Sequence, residues 1–482
     1  MDLDHDACYR AITLRDARFD GRFFTGVRST GIYCRPVCPA RTPRSQNVTF
    51  YPNAAAAQEA GFRPCLRCRP ETAPDMGAWR GTSNTVSRAL ALIELGALDE
   101  GNLEALAGRL GLGERQLRRL FREHLGASPV GVAQTRRVLL AKQLIHETRL
   151  HMTEIAFASG FSSVRRFNEA FQALFERAPG ELRRLAGNAQ AVVVTGEFSL
   201  WLRYQLPYDW PTMLAFFRQR AIAGVERVSA DSYTRSICLD GVQGSLTIRP
   251  AEGNAFCATI RGSKLASLSA IIARLRRVFD LAADPLAIAA HLAKDPTLAP
   301  LLAQRPGLRV PGAWDGFELA IRAVLGQQIS VTAAARLAGR LVSAYGDPLS
   351  APEPGLTHVF PPPEALANAD LSTLGMPKAR AATLSALAAA VLREPQILAG
   401  SGDLEQAVAR LRAIPGVGEW TAQYIALRQL REPDAFPASD LGLMRALADE
   451  SGKRPSAGEV LARAERWRPW RAYAAQHLWA TG

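Results

Sequence analysis

Residues 31–38 read GIYCRPVC, and residues 62–69 read FRPCLRCR. Together they supply four cysteines as C-x3-C, a gap of 26 residues, and C-x2-C. Two close thiol pairs separated by a loop can converge on one tetrahedral ion, and four thiolates suit Zn²⁺. The spacing therefore predicts one zinc site in a small, loop-rich domain that the metal stabilises, and by itself it favours a purely structural zinc. The expected ligands are Cys34, Cys38, Cys65 and Cys68.

The composition indicates a multidomain, nucleic-acid-binding protein. A chain of 482 residues is long enough for three or four domains of ordinary size. Its net charge of +13 favours a polyanionic partner such as double-stranded DNA. Most of the positive charge is arginine, which suits phosphate and guanine contacts but also fits a GC-rich genome.

The sequence contains neither a signal peptide nor an apolar run long enough to cross a membrane. We therefore expect a cytoplasmic, nucleoid-associated bacterial protein with no membrane partner. In that compartment thiols stay reduced, so clustered cysteines indicate metal binding or catalysis. Outside the cluster, Cys8, Cys238 and Cys257 are expected to be ordinary buried or partly buried thiols.

Two similar units follow the cysteine region. Residues 103–113 and 152–161 each predict a short helix with a glycine turn, and an arginine-bearing helix follows each of them. A long helix over 130–148 joins the units. This arrangement is typical of a double helix-turn-helix. The candidate base-reading residues are Arg115, Gln116, Arg118, Arg119, Ser163, Arg165, Arg166 and Asn168.

The remaining chain predicts an α+β layer and then a helical region. Strand-like runs at 192–195, 236–239, 245–249 and 255–261 alternate with helices at 211–223 and 264–279, which favours an antiparallel sheet with helices on one face. A proline-rich loop at 348–363 is expected to interrupt the later helices. Residues 71–75 and 81–83 are interpreted as linkers. The predicted fold is multidomain, mainly α with α+β, with domains at 1–75, 84–186, 192–285 and 286–482.

The cysteine region resembles the N-terminal domain of the Ada family of DNA alkylation-repair proteins. The matching segments are RSTGIYCRPVC (28–38), NVTFY (47–51) and AGFRPCLRC (60–68). The resemblance implies that all four cysteines bind Zn²⁺ and that Cys34 accepts a methyl group from a DNA phosphotriester. Zinc keeps a coordinating thiol deprotonated, and the thiolate is the nucleophile. Methylation would change the site from −2 to −1, so affinity for the DNA backbone should rise. The double helix-turn-helix resembles the AraC-type DNA-binding domain.

A second resemblance covers about residues 196–482. The segment LRAIPGVGEWTA (411–422) is typical of a helix-hairpin-helix, whose glycines let the backbone amides approach a DNA phosphate. With LPYDW (206–210), AIRAVLGQQIS (320–330), FPASDLGL (436–443) and AERWRPWR (464–471), it resembles 3-methyladenine DNA glycosylase II of the AlkA type. That family implies a TBP-like α+β domain followed by a helix-hairpin-helix glycosylase domain. The hairpin residues expected to contact DNA are Gly416, Val417 and Gly418.

The same resemblance implies roles for single residues. Asp440 would be the catalytic carboxylate, either stabilising the oxocarbenium ion or activating water. The aromatic side chains of Trp420, Tyr424 and Trp479 would receive the flipped, positively charged base. Because Trp420 occupies the position of the lysine in backbone-cutting members of the superfamily, monofunctional base excision is expected. Gln328, beside Gln327, occupies the position of the wedge residue, so the gap in the duplex would be filled by a polar side chain.

The expected protein is a fused alkylation-repair enzyme and methylation-triggered transcription activator. It would be a monomer that binds alkylated and promoter DNA, and RNA polymerase, with one Zn²⁺ and no organic cofactor. No Pro-Cys-His-Arg segment occurs, so an O6-methylguanine methyltransferase domain is not expected. A C-terminal lid is not expected either, because the chain ends three residues after Trp479. The alternative is a DNA-binding regulator with a structural zinc and an inactive glycosylase scaffold.

Overall fold

The fold combines helical regions with three groups of strands, which confirms the predicted multidomain class. A computed structural model describes residues 4–16, 19–73, 84–94, 96–99, 101–148, 150–185, 197–262, 267–398 and 404–481. The chain forms two compact units. The first contains residues 1–205, 250–273 and 281–283, and the second contains residues 206–249, 274–280 and 284–482. Among the helices in these ranges, none is long and apolar enough to cross a membrane.

The cysteine region is a small sheet flanked by two helices. Its elements are α1 (His5–Leu14), β1 (Phe24–Val27), β2 (Ile32–Cys34), β3 (Val48–Tyr51), α2 (Ala54–Glu59) and β4 (Arg63–Pro64). The strand order is β3-β1-β2-β4, with β2 parallel to β4. This pairing places Cys34, at the end of β2, beside Cys65, which follows β4. Helix α1 was not predicted; it buries Cys8, Ala11 and Ile12 against Phe23 and Val48, so an apolar cluster supplements the metal site.

The double helix-turn-helix is present. Its helices are α3 (Asn84–Glu94), α4 (Leu103–Arg109), α5 (Glu114–Leu125), α6 (Pro129–Glu147), α7 (Met152–Ala158), α8 (Val164–Phe175) and α9 (Pro179–Leu185). Gly160 turns the chain between α7 and α8 with φ +86°, and a Cβ there would lie 2.4 Å from the Asp99 carboxylate. Asp99 also binds Arg136 and Arg137 of α6, so one carboxylate fixes this turn to the connecting helix.

Helix α6 is attached to the cysteine region near both of its ends. Near its start, the Glu59 carboxylate accepts a hydrogen bond from the Ser128 amide at 2.8 Å. Near its end, Lys142 pairs with Glu71, and Glu147 pairs with Arg69. The prediction of a linker at 71–75 was therefore wrong at Glu71, which is buried in an ion pair. Residues 74, 75 and 81–83 lie outside the described residues.

Strand β5 (Glu197–Arg203) packs against α6 in the same unit. One edge of β5 pairs antiparallel with β9 (Ala255–Arg261) over seven residues. On the other edge, the Gln143 side-chain amide donates to the Trp201 carbonyl at 3.0 Å, and the Trp201 amide donates to Glu147 at 3.4 Å. Side chains of α6 thus bond main-chain groups of β5 that a further strand would otherwise use. The predicted strand at 192–195 lies outside the described residues.

The second unit contains the antiparallel strands β6 (Glu226–Val228), β7 (Tyr233–Leu239) and β8 (Val242–Ala251). Helix α10 (Trp210–Arg220) precedes β6, and helix α11 (Leu268–Val278) follows β9. Of the predicted helix 264–279, residues 264–266 lie outside the described part. The expected loop at 348–363 is instead a β-hairpin over 348–358, followed by a short irregular segment that ends at the first residue of a helix. Strands β10 (Pro348–Glu353) and β11 (Leu356–His358) bury Leu349 and Leu356, and Ser236 donates to the His358 carbonyl at 2.6 Å.

The rest of the second unit is mainly helical and contains the hairpin of residues 411–422. Its helices are α12 (Pro285–Leu292), α13 (Ala299–Gln304), α14 (Gly316–Leu325), α15 (Val331–Tyr345), α16 (Pro363–Ala367), α17 (Lys378–Arg393), α18 (Leu404–Arg412), α19 (Glu419–Ile425), α20 (Leu441–Ala446), α21 (Ala457–Ala464) and α22 (Arg471–Trp479). A π-helical turn, Ala426–Leu430, continues α19. These elements place the hairpin, Asp440 and Trp479 around one cavity.

Candidate metal centre and base-excision site

The four cysteines of the first unit form one cluster. Their Sγ atoms all lie within 4.8 Å of one another. A tetrahedral ion with Zn–S bonds of about 2.3 Å separates its sulfurs by about 3.8 Å, so the cluster needs only a small contraction. The residues therefore fit a Cys₄ site, and the protein binds one Zn²⁺ there. Cys65 and Cys68 are buried, whereas Cys34 and Cys38 are partly exposed.

Hydrogen bonds fix the chain around this cluster. The Cys65 amide donates to the Tyr33 carbonyl at 3.0 Å, which joins the two cysteine pairs through β2 and β4. The Arg35 amide donates to Cys68 Sγ at 3.3 Å, and its guanidinium is paired with Asp20. A hydrogen bond to sulfur withdraws electron density from that thiolate. Cys34 and Cys38 are both partly exposed, and the described contacts include no such donor to the Cys34 sulfur.

The other three cysteines lie outside the cluster. Cys8 and Cys257 are buried, as expected, and burial raises the pKa of the Cys8 thiol to about 11. Cys238 is exposed, which contradicts the expectation of a buried or partly buried thiol. It lies near the end of β7 with its side chain on the solvent face, where the strand pattern alternates.

The recognition helices α5 and α8 present most of the expected readers to solvent. Seven of the eight candidates are exposed: Arg115, Gln116, Arg118, Arg119, Arg165, Arg166 and Asn168. Two of them are paired with acids one turn away, Arg118 with Glu114 and Arg165 with Glu169. Ser163 differs, because its hydroxyl caps α8 by accepting a hydrogen bond from the Arg166 amide.

The hairpin between α18 and α19 uses its two glycines differently. Gly416 has φ +83°, and a Cβ there would lie 1.9 Å from Thr383 Oγ1, so the fold requires glycine. Gly418 has φ −85°, and a Cβ would have no atom within 4 Å. The space beside Gly418 is open to solvent, as an approaching DNA backbone would need. Val417, between them, is buried and anchors the hairpin rather than facing a ligand.

Asp440 is the N-cap of α20, and four donors hold its carboxylate. Oδ1 accepts hydrogen bonds from the Gly442 amide at 2.8 Å, the Leu443 amide at 3.1 Å and Trp479 Nε1 at 2.8 Å. Oδ2 accepts one, from Trp420 Nε1 at 2.7 Å. Oδ1 is thus saturated, and Oδ2 retains a lone pair. The carboxylate is oriented by two indoles, which the sequence assigned only to base binding.

The three predicted aromatic residues are adjacent. Trp420 and Tyr424 are stacked with centroids 5.2 Å apart and planes 14° apart, and Trp479 lies 6.3 Å from Tyr424 at 62°. All three line a cavity of about 1690 Å³ together with Asp440, Gln327 and Gln328. Phe216 and Arg428 are among the residues of this wall that the sequence missed. The sequence could have indicated Arg428, because it lies in the run ALRQL (426–430), one helical turn after Tyr424.

The two glutamines at the cavity mouth differ in their contacts. Gln327 donates to the Gly416 carbonyl at 3.1 Å and to Thr421 Oγ1 at 3.0 Å, so it supports the hairpin. Gln328 is exposed with φ +58°, a conformation that projects a residue from the chain's regular path. Its role as a wedge stays a prediction.

A buried ionic cluster forms another part of the cavity wall. Arg235 of β7 pairs with Glu318 of α14 at 2.7 Å, and Arg322 pairs with Glu226. Tyr233 donates to Glu226 at 2.6 Å. Burial acts to lower the pKa of Arg235, but the carboxylates raise the pKa above its ordinary value. These contacts fix α14 against the strands of the second unit.

Four domain families match the chain in succession. They are the metal binding domain of Ada (residues 7–71), a helix-turn-helix domain (106–185), the AlkA N-terminal domain (199–315) and the HhH-GPD superfamily of base excision DNA repair proteins (321–472). Their order agrees with both resemblances drawn from the sequence.

Relatives match the whole chain or its glycosylase part. A probable bifunctional transcriptional activator/DNA repair enzyme AlkA of Mycobacterium tuberculosis is 42% identical over 100% of this chain and 97% of its own. DNA-3-methyladenine glycosylase 2 of Escherichia coli is 38% identical over 58% of this chain and 96% of its own. A 3-methyladenine DNA glycosylase of Archaeoglobus fulgidus has a similar fold, with a TM-score of 0.52 at 24% identity over 58% of this chain and 96% of its own. The chain therefore belongs to the family of bifunctional transcriptional activator/DNA repair enzymes that join Ada-type and AlkA-type domains.

Proposed function

We propose that the second unit hydrolyses the N-glycosidic bond of alkylated purines such as 3-methyladenine in DNA. The observation that carries this proposal is the fixed Asp440 carboxylate, whose Oδ2 retains a lone pair beside the aromatic cavity. A sugar whose base departs becomes an oxocarbenium ion, and a preorganised carboxylate stabilises that charge. Water then adds to C1′, and the products are a free base and an abasic site.

The excision is proposed to be monofunctional. A bifunctional enzyme needs an amine to form a Schiff base with the sugar. Among the described residues lining the cavity there is no lysine, and the position after the hairpin holds Trp420, whose indole is bonded to Asp440. The DNA strand that carries the new abasic site should therefore stay uncleaved until alkali is added.

The test of excision is release of 3-methyladenine from alkylated duplex DNA by the full chain and by Asp440→Asn. The amide is isosteric but neutral, and we expect the variant to lose at least about a hundredfold in rate, the scale of a removed electrostatic contact. Equal trace release by both proteins would support the alternative of a regulator with an inactive glycosylase scaffold.

For the first unit, we propose that Cys34 accepts a methyl group from a DNA methylphosphotriester. When bound, Zn²⁺ keeps the cysteine thiols deprotonated. Cys34 sulfur attacks the methyl carbon, the methyl C–O bond breaks, and the phosphate oxygen leaves with the electron pair as a phosphodiester anion. Partial exposure favours Cys34 and Cys38 over Cys65 and Cys68, which are buried, and the resemblance to the Ada domain supports Cys34 of the two.

Peptide mass spectrometry after incubation with methylphosphotriester DNA tests the transfer. One added methyl group should appear on the peptide containing Cys34, and none after incubation with unmodified duplex. A methyl group on Cys38 alone, or on no cysteine while zinc remains bound, would overturn the assignment.

Methyl transfer is proposed to increase DNA affinity and so to activate transcription through RNA polymerase at promoters read by α5 and α8. The thiolate site loses one negative charge while the surrounding arginines are unchanged. Binding of an undamaged duplex, measured before and after methylation, should strengthen, and log affinity should fall linearly with log salt for both forms. Equal affinity of the two forms would exclude the switch.

A further inference from the structure

Arg428 is a buried cation in the wall of the base cavity. It lies in the π-helical turn Ala426–Leu430, and 2% of its surface is exposed. Single π turns are rare and are frequently found at functional sites. The turn places Arg428 in the cavity wall with Asp440, on the helix that also carries Trp420 and Tyr424.

Three aromatic rings surround the Arg428 guanidinium. Its carbon lies 4.7 Å from the centroid of Phe216, 5.2 Å from Trp479 and 5.4 Å from Tyr424. These are cation–π distances. The aromatic cluster expected to attract a cationic base therefore already contains a cation of the protein, and a second cation entering the cavity would be repelled by it.

The charge of Arg428 is not neutralised by an acid. Its Nη1 donates to the Pro311 carbonyl at 3.1 Å, and its Nη2 donates to Gln476 Oε1 at 3.0 Å. Both acceptors are neutral, and within the described ranges no carboxylate is paired with this arginine. Burial lowers the pKa of Arg428 to about 10, which leaves the guanidinium protonated at neutral pH.

Trp479 lies between this cation and the Asp440 carboxylate. Its indole N–H donates to Asp440, while its ring contacts the Arg428 guanidinium. The cavity therefore has a positive charge behind the aromatic rings and a negative charge at the indole edge. A nucleotide with its base against the rings and its sugar near Asp440 would lie along this gradient.

Building on the proposed excision activity, we propose that Arg428 determines specificity by opposing the binding of cationic bases and promoting the departure of all bases. When the C1′–N bond breaks, its electron pair moves to the base nitrogen. A cationic base becomes neutral and a neutral base becomes an anion, so in both cases one unit of negative charge develops near Arg428. The sugar becomes a cation near Asp440, water adds its oxygen to C1′, and a proton is released.

Binding and rate should respond differently to the loss of the Arg428 charge. Neutralising Arg428 should tighten binding of DNA containing 7-methylguanine, which is cationic, and leave binding of DNA containing neutral hypoxanthine nearly unchanged. The single-turnover rate should fall for both lesions. Each change should lie between about tenfold and about a hundredfold, the effect of one charge at several ångströms in a protein interior.

The experiment measures single-turnover rate and half-saturating concentration for full-length protein on both duplexes. Arg428→Met removes the charge, and Arg428→Lys retains it. Arg428→Met also removes the hydrogen bonds to Pro311 and Gln476. A second pair of variants, at Gln476, keeps the arginine in place. Gln476→Glu places an anion on the intact arginine, and Gln476→Met removes the same acceptor without adding charge.

On 7-methylguanine DNA, a fall in both the half-saturating concentration and the single-turnover rate, in Arg428→Met and Gln476→Glu but not in Arg428→Lys or Gln476→Met, would support the inference. Equal losses on both lesions with unchanged half-saturation would overturn it and leave the excision activity standing, as would absence of hypoxanthine release by the wild type. The excision proposal itself would fail on a different result, namely that wild type and Asp440→Asn are equally inactive on 7-methylguanine.

Discussion

Lys142 Nζ lies 2.6 Å from the Glu71 carboxylate, and neither side chain is exposed to solvent. Lys142 also donates to the Cys65 carbonyl at 3.2 Å, so one ammonium joins helix α6 to a cysteine of the metal centre. Burial acts to raise the pKa of Glu71, but Lys142 and Arg69 bring the pKa below its ordinary value. The carboxylate is therefore ionised and dependent on its partners.

Lys142→Met should be strongly destabilising, because it leaves Glu71 buried with less compensation. Removing one partner of a buried ion pair costs about 3–5 kcal/mol. Thermal unfolding of the zinc-loaded chain should show a lower transition temperature for the part that contains α6. The double variant Lys142→Met/Glu71→Gln removes both charges and should recover part of the loss. A single variant as stable as wild type would show that the pair contributes nothing.

The hairpin glycines should separate stability from DNA binding. Gly416→Ala forces a Cβ into Thr383 at a positive φ and should cost at least about 1 kcal/mol in stability. Gly418→Ala meets no atom and should unfold like wild type, yet weaken binding of undamaged duplex to the second unit several-fold. Calorimetry and fluorescence anisotropy measure the two effects. If Gly418→Ala binds normally, the open space beside Gly418 is not where the DNA backbone lies.

Gly442→Ala should impair excision by displacing the groups that hold Asp440. A Cβ at Gly442 would lie 2.9 Å from Asp440 Oδ1 and 3.1 Å from Trp479 Cδ1. A displacement of about 1 Å in a reacting group can reduce the rate by about a hundredfold. We expect a large fall in the single-turnover rate with a smaller change in DNA affinity. Gly458→Ala, on α21 with no atom near its Cβ, is the matched control and should react as wild type.

The stability of the second unit should fall in acid because of His477. Burial lowers the pKa of this imidazole to about 4, whereas an unfolded histidine has a pKa near 6.5. The unfolded chain therefore binds more protons between these values, and stability is lost as pH falls from about 6.5 to 4, by at most about 3 kcal/mol. His477→Gln should show a shallower loss over that window in urea unfolding. Parallel pH curves for the two proteins would contradict this account.

Local patterns predicted the elements and the site residues better than the contacts between regions. The cysteine spacing located the metal cluster, and the glycine turns located both helix-turn-helix units, because these depend on neighbouring residues. Glu71 looked like a linker residue, since its partner Lys142 lies 71 positions away. Prolines obscured the hairpin β10–β11, whose strands are held by side chains of the other sheet such as Ser236 and Gln243.

Arg428 illustrates the same limit within the base site. Its sequence context gives no sign that rings from three different helices, α10, α19 and α22, surround it. Nor could the sequence show that Trp420 and Trp479 donate to Asp440, because the donors are 20 and 39 residues from the acceptor. The residue types predicted a carboxylate and an aromatic pocket, but only the tertiary contacts show how these side chains are bonded to one another.

The bonds from Gln143 and Glu147 to Trp201 have a consequence for dividing the protein. A fragment beginning at residue 197 would carry β5 with its outer edge uncovered, and an uncovered edge strand pairs readily with another copy. A fragment ending at residue 185 would leave the carboxylate of Glu147 without one of its donors. The repair half prepared alone should therefore self-associate, and replacing Gln143 of α6 with an apolar residue should reproduce part of that behaviour in the intact chain.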